Sequence, residues 1–250
     1  MSEEYLDNLS RFYDIIHQDK DYKTECDVIL KNVNTFNKLL DVGCGTLNHS
    51  LILSEKFKKI VGVDLSQSML SVGKKKMLEK KLHNIELTTK DLGDIEGNFE
   101  VVISMFNVVN HIHSLKDLID FFSNINDKLI PGGIFIFDCW NGTACRLEIP
   151  KKHKKKTVNY DWYTLILETK TETDLFNSIS EMNNNVIVYS ENEQVENFEY
   201  KLQQKLWTPD VFISILEMFN FQINKILPFF KEDKRASEND YRLTFIAQKK

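Results

Sequence analysis

Between residues 38 and 138, short apolar and β-branched runs alternate with longer segments whose apolar residues recur at helical spacing. The runs at residues 38–42, 59–64, 84–88, 100–104 and 133–138 predict buried strands, and the periodic segments at 47–55, 66–80 and 115–129 predict the helices that cross between them. Ser66, just ahead of the Met69, Leu70, Met77 stripe, has the chemistry of a helix cap. Fully apolar strands alternating with crossover helices predict an α/β fold: a doubly wound, mostly parallel, Rossmann-like sheet. Two more helices are predicted ahead of it, over residues 3–17 and 22–36, the second with Cys26, Ile29, Leu30 and Val33 on one face.

After Trp140 the period changes. Residues 161–169 and 186–189 read as strands, and Phe198, Tyr200, Leu202, Gln204 and Leu206 alternate with charged or polar residues, as antiparallel strands with one wet face do. Residues 141–206 are therefore expected to form an antiparallel β insertion, a cap over a main domain built from residues 1–140 and 207–250. The main domain resumes at Thr208-Pro209-Asp210, a cap with proline at the first helical position, opening a helix to about residue 219. Strands at 221–227 and 241–247 follow, the last expected as an antiparallel edge strand.

With 250 residues, 42% hydrophobic and 28% charged, the chain has the composition of a soluble globular protein, which excludes disorder and a membrane bundle. No apolar stretch approaches the roughly 20 residues needed to span a bilayer, and the first residues lack a basic and apolar leader, so a cytoplasmic location is expected. The four cysteines show no Cys-x-x-Cys or Cys/His zinc spacing; free thiols and no metal are expected. A net charge of -5 argues against nucleic acid as partner. The one basic run, KKHKKK at 151–156, reads as a solvated loop, with a clamp for a phosphate-bearing substrate as the alternative.

The chemistry concentrates at Leu39-Leu40-Asp41-Val42-Gly43-Cys44-Gly45-Thr46, an apolar strand breaking into two glycines and a helix. Such a turn lets a ligand lie against main-chain N–H groups. The next strand ends in Asp64, about 20 residues on, where the ribose hydroxyls of a nucleotide cofactor would lie. The third glycine of a dinucleotide turn is missing, and Asp41 would repel phosphate yet suits a cation. S-adenosylmethionine carries a sulfonium, an ammonium and no phosphate.

LLDVGCGT, VGVDLSQSML, KDLGDI, FEVVISMFNVVNHI and LIPGGIFIFD resemble, in order and spacing, the successive motifs of class I S-adenosylmethionine-dependent methyltransferases. The resemblance implies that Gly43 and Gly45 face the methionine part, Asp64 the ribose, Asp91 and Leu92 the adenine, and Met69 its other face. It further implies that Ser104 and Met105 line the site, that Tyr22 touches the cofactor carboxylate, and that S-adenosylhomocysteine is the product. Met69 is equally explained as a core residue. Many members have glycine where this chain has Leu47.

Residues 12–22, with Met105-Phe106-Asn107 and Phe137-Asp138-Cys139-Trp140, look similar to the sugar-nucleotide N,N-dimethyltransferases that finish amino sugars. The chain lacks the proline pair plus aromatic of amino-methylating nucleic-acid enzymes and the Pro-Cys of cytosine C5 enzymes. By this resemblance the acceptor is a small molecule, a nucleotide sugar, met by Tyr13 and His111 as orienting and proton-relaying residues and by Asn107, Asp138 and Trp140 as its pocket. O-methylation of a metabolite and non-catalytic cofactor binding stand as alternatives, and monomer or homodimer is left open.

Overall fold

The structure, a computed structural model, describes residues 3–191 and 193–250. Helices α1 (Glu3–Ile16) and α2 (Tyr22–Lys31) precede β1 (Lys38–Val42), α3 (Asn48–Leu53), β2 (Lys59–Val63), α4 (Gln67–Glu79), β3 (Ile85–Thr88), β4 (Phe99–Ser104), α5 (Leu115–Lys128) and β5 (Leu129–Trp140). There follow α6 (Gly142–Leu147), β6 (His153–Tyr160), β7 (Tyr163–Asp174), β8 (Ile179–Ser190), β9 (Glu193–Lys205), α7 (Pro209–Met218), β10 (Phe221–Pro228) and β11 (Arg242–Lys249).

The main sheet has the order β10-β11-β5-β4-β1-β2-β3, with β3, β2, β1, β4 and β5 parallel. Continuous apolar runs make this possible, because both sheet faces are covered: Leu39, Ile60, Val101, Ile103 and Ile136 pack on one side, and Phe122, Phe135, Phe137, Phe212 and Phe245 on the other. Phe137 stacks on Phe245 at 4.9 Å between centroids, with Phe122 edge-on to Phe137 at 5.4 Å. Each such ring contributes about 1.5–3 kcal/mol of burial. The strand order reverses between β1 and β4, and ligands of open α/β sheets bind beyond the C-terminal ends of the strands at such a switch point.

Strand β11 is antiparallel, as expected, but not at the edge: it lies between β5 and β10. Leu243 to Ala247 are all buried, whereas β10 exposes Gln222 and Lys225 and is bulged at Ile223/Lys225, the features of an edge. Helix α2 stops at Lys31, short of the expected residue 36, where the Asn32 side chain turns back to the Val28 carbonyl.

The second sheet, β6-β7-β8-β9, is antiparallel throughout. Its apolar face, with Val158, Leu165, Val186, Val188, Phe198 and Tyr200, packs on Leu9, Phe12 and Ile16 of α1 and Met69 of α4. The lysine run is not a loop: residues 153–156 open strand β6, where Lys155 pairs with Glu168 and Lys156 donates to the Ile16 carbonyl and Asp19. Lysines suit an outer strand of a sheet because they discourage pairing with another chain.

Candidate functional site

The turn after β1 is built by glycine. Gly43 and Gly45 have φ of +74° and +52°, which side chains rarely adopt, and the N–H groups of Gly43 and Cys44 both donate to the Val63 carbonyl. A Cβ on Gly45 would meet nothing within 4 Å, so open space lies against this backbone. Leu47 caps α3 at φ 70° without any side-chain hydrogen bond. Its side chain is fully buried over α4, where a Cβ on Gly73 would come within 2.6 Å of Leu47 Cγ. Gly73 makes room for the leucine.

At the end of β2, one Asp64 oxygen accepts from Gly45 N–H and the other from Ser66 N–H, at 2.8 and 2.9 Å. Burial raises the carboxyl above its usual range, and the two N–H groups partly offset this. Each oxygen keeps a free lone pair, so the group can still accept two O–H donors side by side, as a ribose diol offers. Ser66 caps α4 by accepting from Met69 N–H, and Met69 lies in the cluster between α1 and the second sheet. Asp91 is exposed at the head of a 3-10 turn over Leu92–Asp94 and makes no capping hydrogen bond; Leu92 is half-buried.

Asp41 differs from expectation. It is buried beneath the turn with its carboxylate held by Ser50 at 2.6 Å, and burial pushes its carboxyl up to about 6. It supports the turn from inside. Ser104 likewise donates to the Val42 carbonyl from a fully buried position, and Met105 is core, so only their backbone is available to a ligand.

Helix α1 closes over this turn. Asp14 accepts from Thr46, Asn48 and Lys76 at 2.6, 2.9 and 2.8 Å; burial opposes its ionisation, but those three donors outweigh it and hold the carboxyl below its usual range. On the same helix, burial holds the Tyr13 hydroxyl well above the ordinary phenol range, with Tyr22, Asp14 and Asp64 pushing the same way. Tyr22 packs edge-on to His49 at 5.1 Å, with its hydroxyl buried beside Asn48.

Beyond β4 the backbone is strained: Phe106 and Asn107 are consecutive at φ 71° and 62°. Asp138, fully buried on β5, explains how. One of its oxygens accepts from both Phe106 and Asn107 N–H groups, and the other takes Arg242 at 2.9 Å. The carboxylate of Asp138, expected to meet the acceptor, is engaged by the Phe106–Asn107 backbone and by Arg242. The Phe106 ring packs edge-on to His17 at 5.0 Å and Tyr13 at 6.4 Å, beneath Lys20 and Arg242. Trp140 is half-buried against Tyr241, with its main-chain N–H donating to Asn110 Oδ1.

His111, in the short turn Val108–His111, sits at 3.2 Å, Nε2 to Gln204 Nε2, from strand β9. Burial lowers its pKa, His113 adds to this, and the Gln203 carbonyl pulls partly back. Strand β9 thus holds the His111 ring, the expected proton relay, through one of its two nitrogens. Sequence reasoning missed Phe106, Asn110, Arg242 and Gln204. Only the Asn-rich spacing around residue 107 hinted at left-handed backbone, and no sequence signal pairs Arg242 with Asp138.

The residues present fit S-adenosylmethionine: a glycine cradle with open space, a carboxylate with two lone pairs free for a diol, and an exposed Asp91 just after β3, the strand that pairs with β2. A methyltransferase-domain family model matches residues 39–133. The Bacillus subtilis (strain 168) protein named "Putative methyltransferase YqeM" is 23% identical over 216 residues, covering 85% of this chain and 84% of its own. The dTDP-3-amino-3,4,6-trideoxy-alpha-D-glucopyranose N,N-dimethyltransferase of Streptomyces venezuelae is 28% identical over 134 residues, 51% of this chain and 55% of that protein. The chain thus spans about half the length of this sugar-modifying relative. A crystal structure of an S-adenosylmethionine-dependent methyltransferase from Clostridium acetobutylicum ATCC 824 superposes with a TM-score of 0.80 at 23% identity, covering 95% of this chain and 96% of that one.

Proposed function

We propose that this chain, a class I S-adenosylmethionine-dependent methyltransferase, works in the cytoplasm on a small molecule and methylates the amino group of a nucleotide-linked sugar. Being an enzyme, it is not the non-catalytic binder that was the alternative. The four buried thiols suit a reducing compartment. The Streptomyces venezuelae relative supports the sugar.

The observation that carries the choice of nitrogen over oxygen is the setting of Tyr13 and His111, the two residues expected to move the acceptor's proton. The cofactor, when bound, supplies a methyl group on positive sulfur. A hydroxyl acceptor needs a base in the transition state, worth about 10²–10⁴-fold, whereas an amine loses its proton to water beforehand and needs only orientation and dryness. Tyr13 stays a neutral phenol and His111 Nε2 faces the Gln204 amide N–H, so these two residues orient rather than deprotonate. Tyr13 holds the acceptor from α1, while the Phe106 ring and the cap exclude water.

Turnover of a dTDP-3-amino sugar and of its 3-hydroxy counterpart, from pH 6 to 9, tests this. The amine is expected to react, at a rate rising with pH as the amine itself deprotonates. Tyr13→Phe should cost about 10–100-fold, the loss of one or two orienting hydrogen bonds, with the pH profile kept. Methylation of the hydroxy sugar alone would overturn the reading.

A further inference from the structure

Strand β9 turns Phe198, Tyr200, Leu202 and Gln204 to one side, by the two-residue period of a strand. Phe198 stacks on Phe12 of α1 at 5.8 Å, and Gln204 meets His111. This row therefore runs about 20 Å, six residues at about 3.3 Å each, from helix α1 to the turn after β4. Tyr13 on α1 and the strained pair Phe106–Asn107 border the same interval. Within it, Gln204 and Asn107 are 5% and 6% exposed, and the carbonyl oxygens Oε1 and Oδ1 of these two side chains are buried with no hydrogen-bond donor. Buried carbonyls left unpaired are uncommon and costly, and a ligand's N–H or O–H groups are a standard resolution.

Building on the amine reading above, we propose that Gln204 Oε1 and Asn107 Oδ1 form a two-oxygen clamp for the N–H groups of the acceptor amine, so that the site prefers a primary amine to its methylated products. A neutral primary amine gives one N–H to each oxygen and keeps its lone pair free for attack. A hydroxyl has one hydrogen and leaves an oxygen unpaired. Each methyl gained removes one N–H, so the clamp releases the product stepwise, and the doubly methylated amine has none left to give.

Calorimetric titration of the full chain, loaded with S-adenosylhomocysteine, reads this directly. The titrants are a dTDP-3-amino sugar, its N-methyl and N,N-dimethyl forms, and the 3-hydroxy sugar. Each lost N–H should weaken binding by about 5–20-fold. Gln204→Met should flatten one step to within about twofold, leaving S-adenosylhomocysteine affinity intact. Asn107→Gly should flatten the other, and because glycine accepts the positive φ, this variant guards against a result caused by misfolding. Equal binding of primary and N-methyl amines to the wild type, or a ladder that persists in both variants, overturns the clamp and leaves the amine reading standing. Binding of the 3-hydroxy sugar alone overturns both.

Discussion

At Leu47 the chain does what the family's glycine would make easy: it places a fully buried leucine at φ 70°. The left-handed conformation costs roughly 1–2 kcal/mol, while emptying a buried leucine site costs about 2–5 kcal/mol, so packing wins. The cavity for it exists because α4 carries Gly73, itself costing about 1 kcal/mol of helix propensity relative to alanine. The two positions should couple. Gly73→Ala alone is expected to destabilise, because its Cβ would meet Leu47 Cγ at 2.6 Å. In a Leu47→Gly background both leucine contacts are gone and only the Thr46 backbone at 3.3 Å remains, so the same substitution should stabilise by at most about 0.5–1 kcal/mol. Urea unfolding of the four members of this cycle measures the sign change; Gly73→Ala destabilising by the same amount in both backgrounds would show that Leu47 does not own the space.

Elements with one dominant cause were legible in sequence, and those fixed by distant partners were not. The strands β1 to β4, the Ser66 cap and the Pro209 helix start follow from local pattern, as does the glycine turn with Asp64. Strand β6 was hidden because KKHKKK has no apolar alternation; its order comes from eight pairings with β7. The Phe106–Asn107 turn depends on Asp138 and Arg242, 32 and 136 residues from Phe106, and its only local signal is the asparagine at 107. Helix α1 carries a testable consequence. Burial, aided by Lys156 and Lys20, pushes His17 at its end down to about 4, against an ordinary value of about 6.5. The unfolded chain therefore takes this proton first as pH falls. Stability is full above about pH 6.5, declines through the interval and levels below about 4, a loss of about 3 kcal/mol. Asp41, raised to about 6, acts oppositely, gaining as pH falls through that value, so the quantity to read is a difference. Wild type minus His17→Asn in urea unfolding should fall by about 3 kcal/mol between pH 7.5 and 4; a constant difference would mean that His17 titrates alike in both states.

For the whole molecule, the glycine turn, Asp64, helix α1 and the cap are parts of one binding event, because α1 is tied to the turn through Asp14 and to the cap through Lys156. A ligand held there and absent from the unfolded chain stabilises all of it by mass action. S-adenosylhomocysteine at about 100 times its dissociation constant should add about 2.7 kcal/mol, or roughly 5–11 °C in melting temperature for a chain of this size. Asp64→Ala removes both acceptors offered to the ribose, each charge-assisted bond being worth about 1.5–3 kcal/mol, so affinity should drop at least tenfold. At the same ligand concentration the stabilisation then falls to about 1.4 kcal/mol or less, and the thermal shift to half or less. The variant also leaves Gly45 and Ser66 N–H groups without their acceptor, which lowers its melting temperature before any ligand is added. The shift on adding ligand, not the absolute temperature, is thus the measurement, and an undiminished shift in Asp64→Ala would place the ribose elsewhere at the sheet edge.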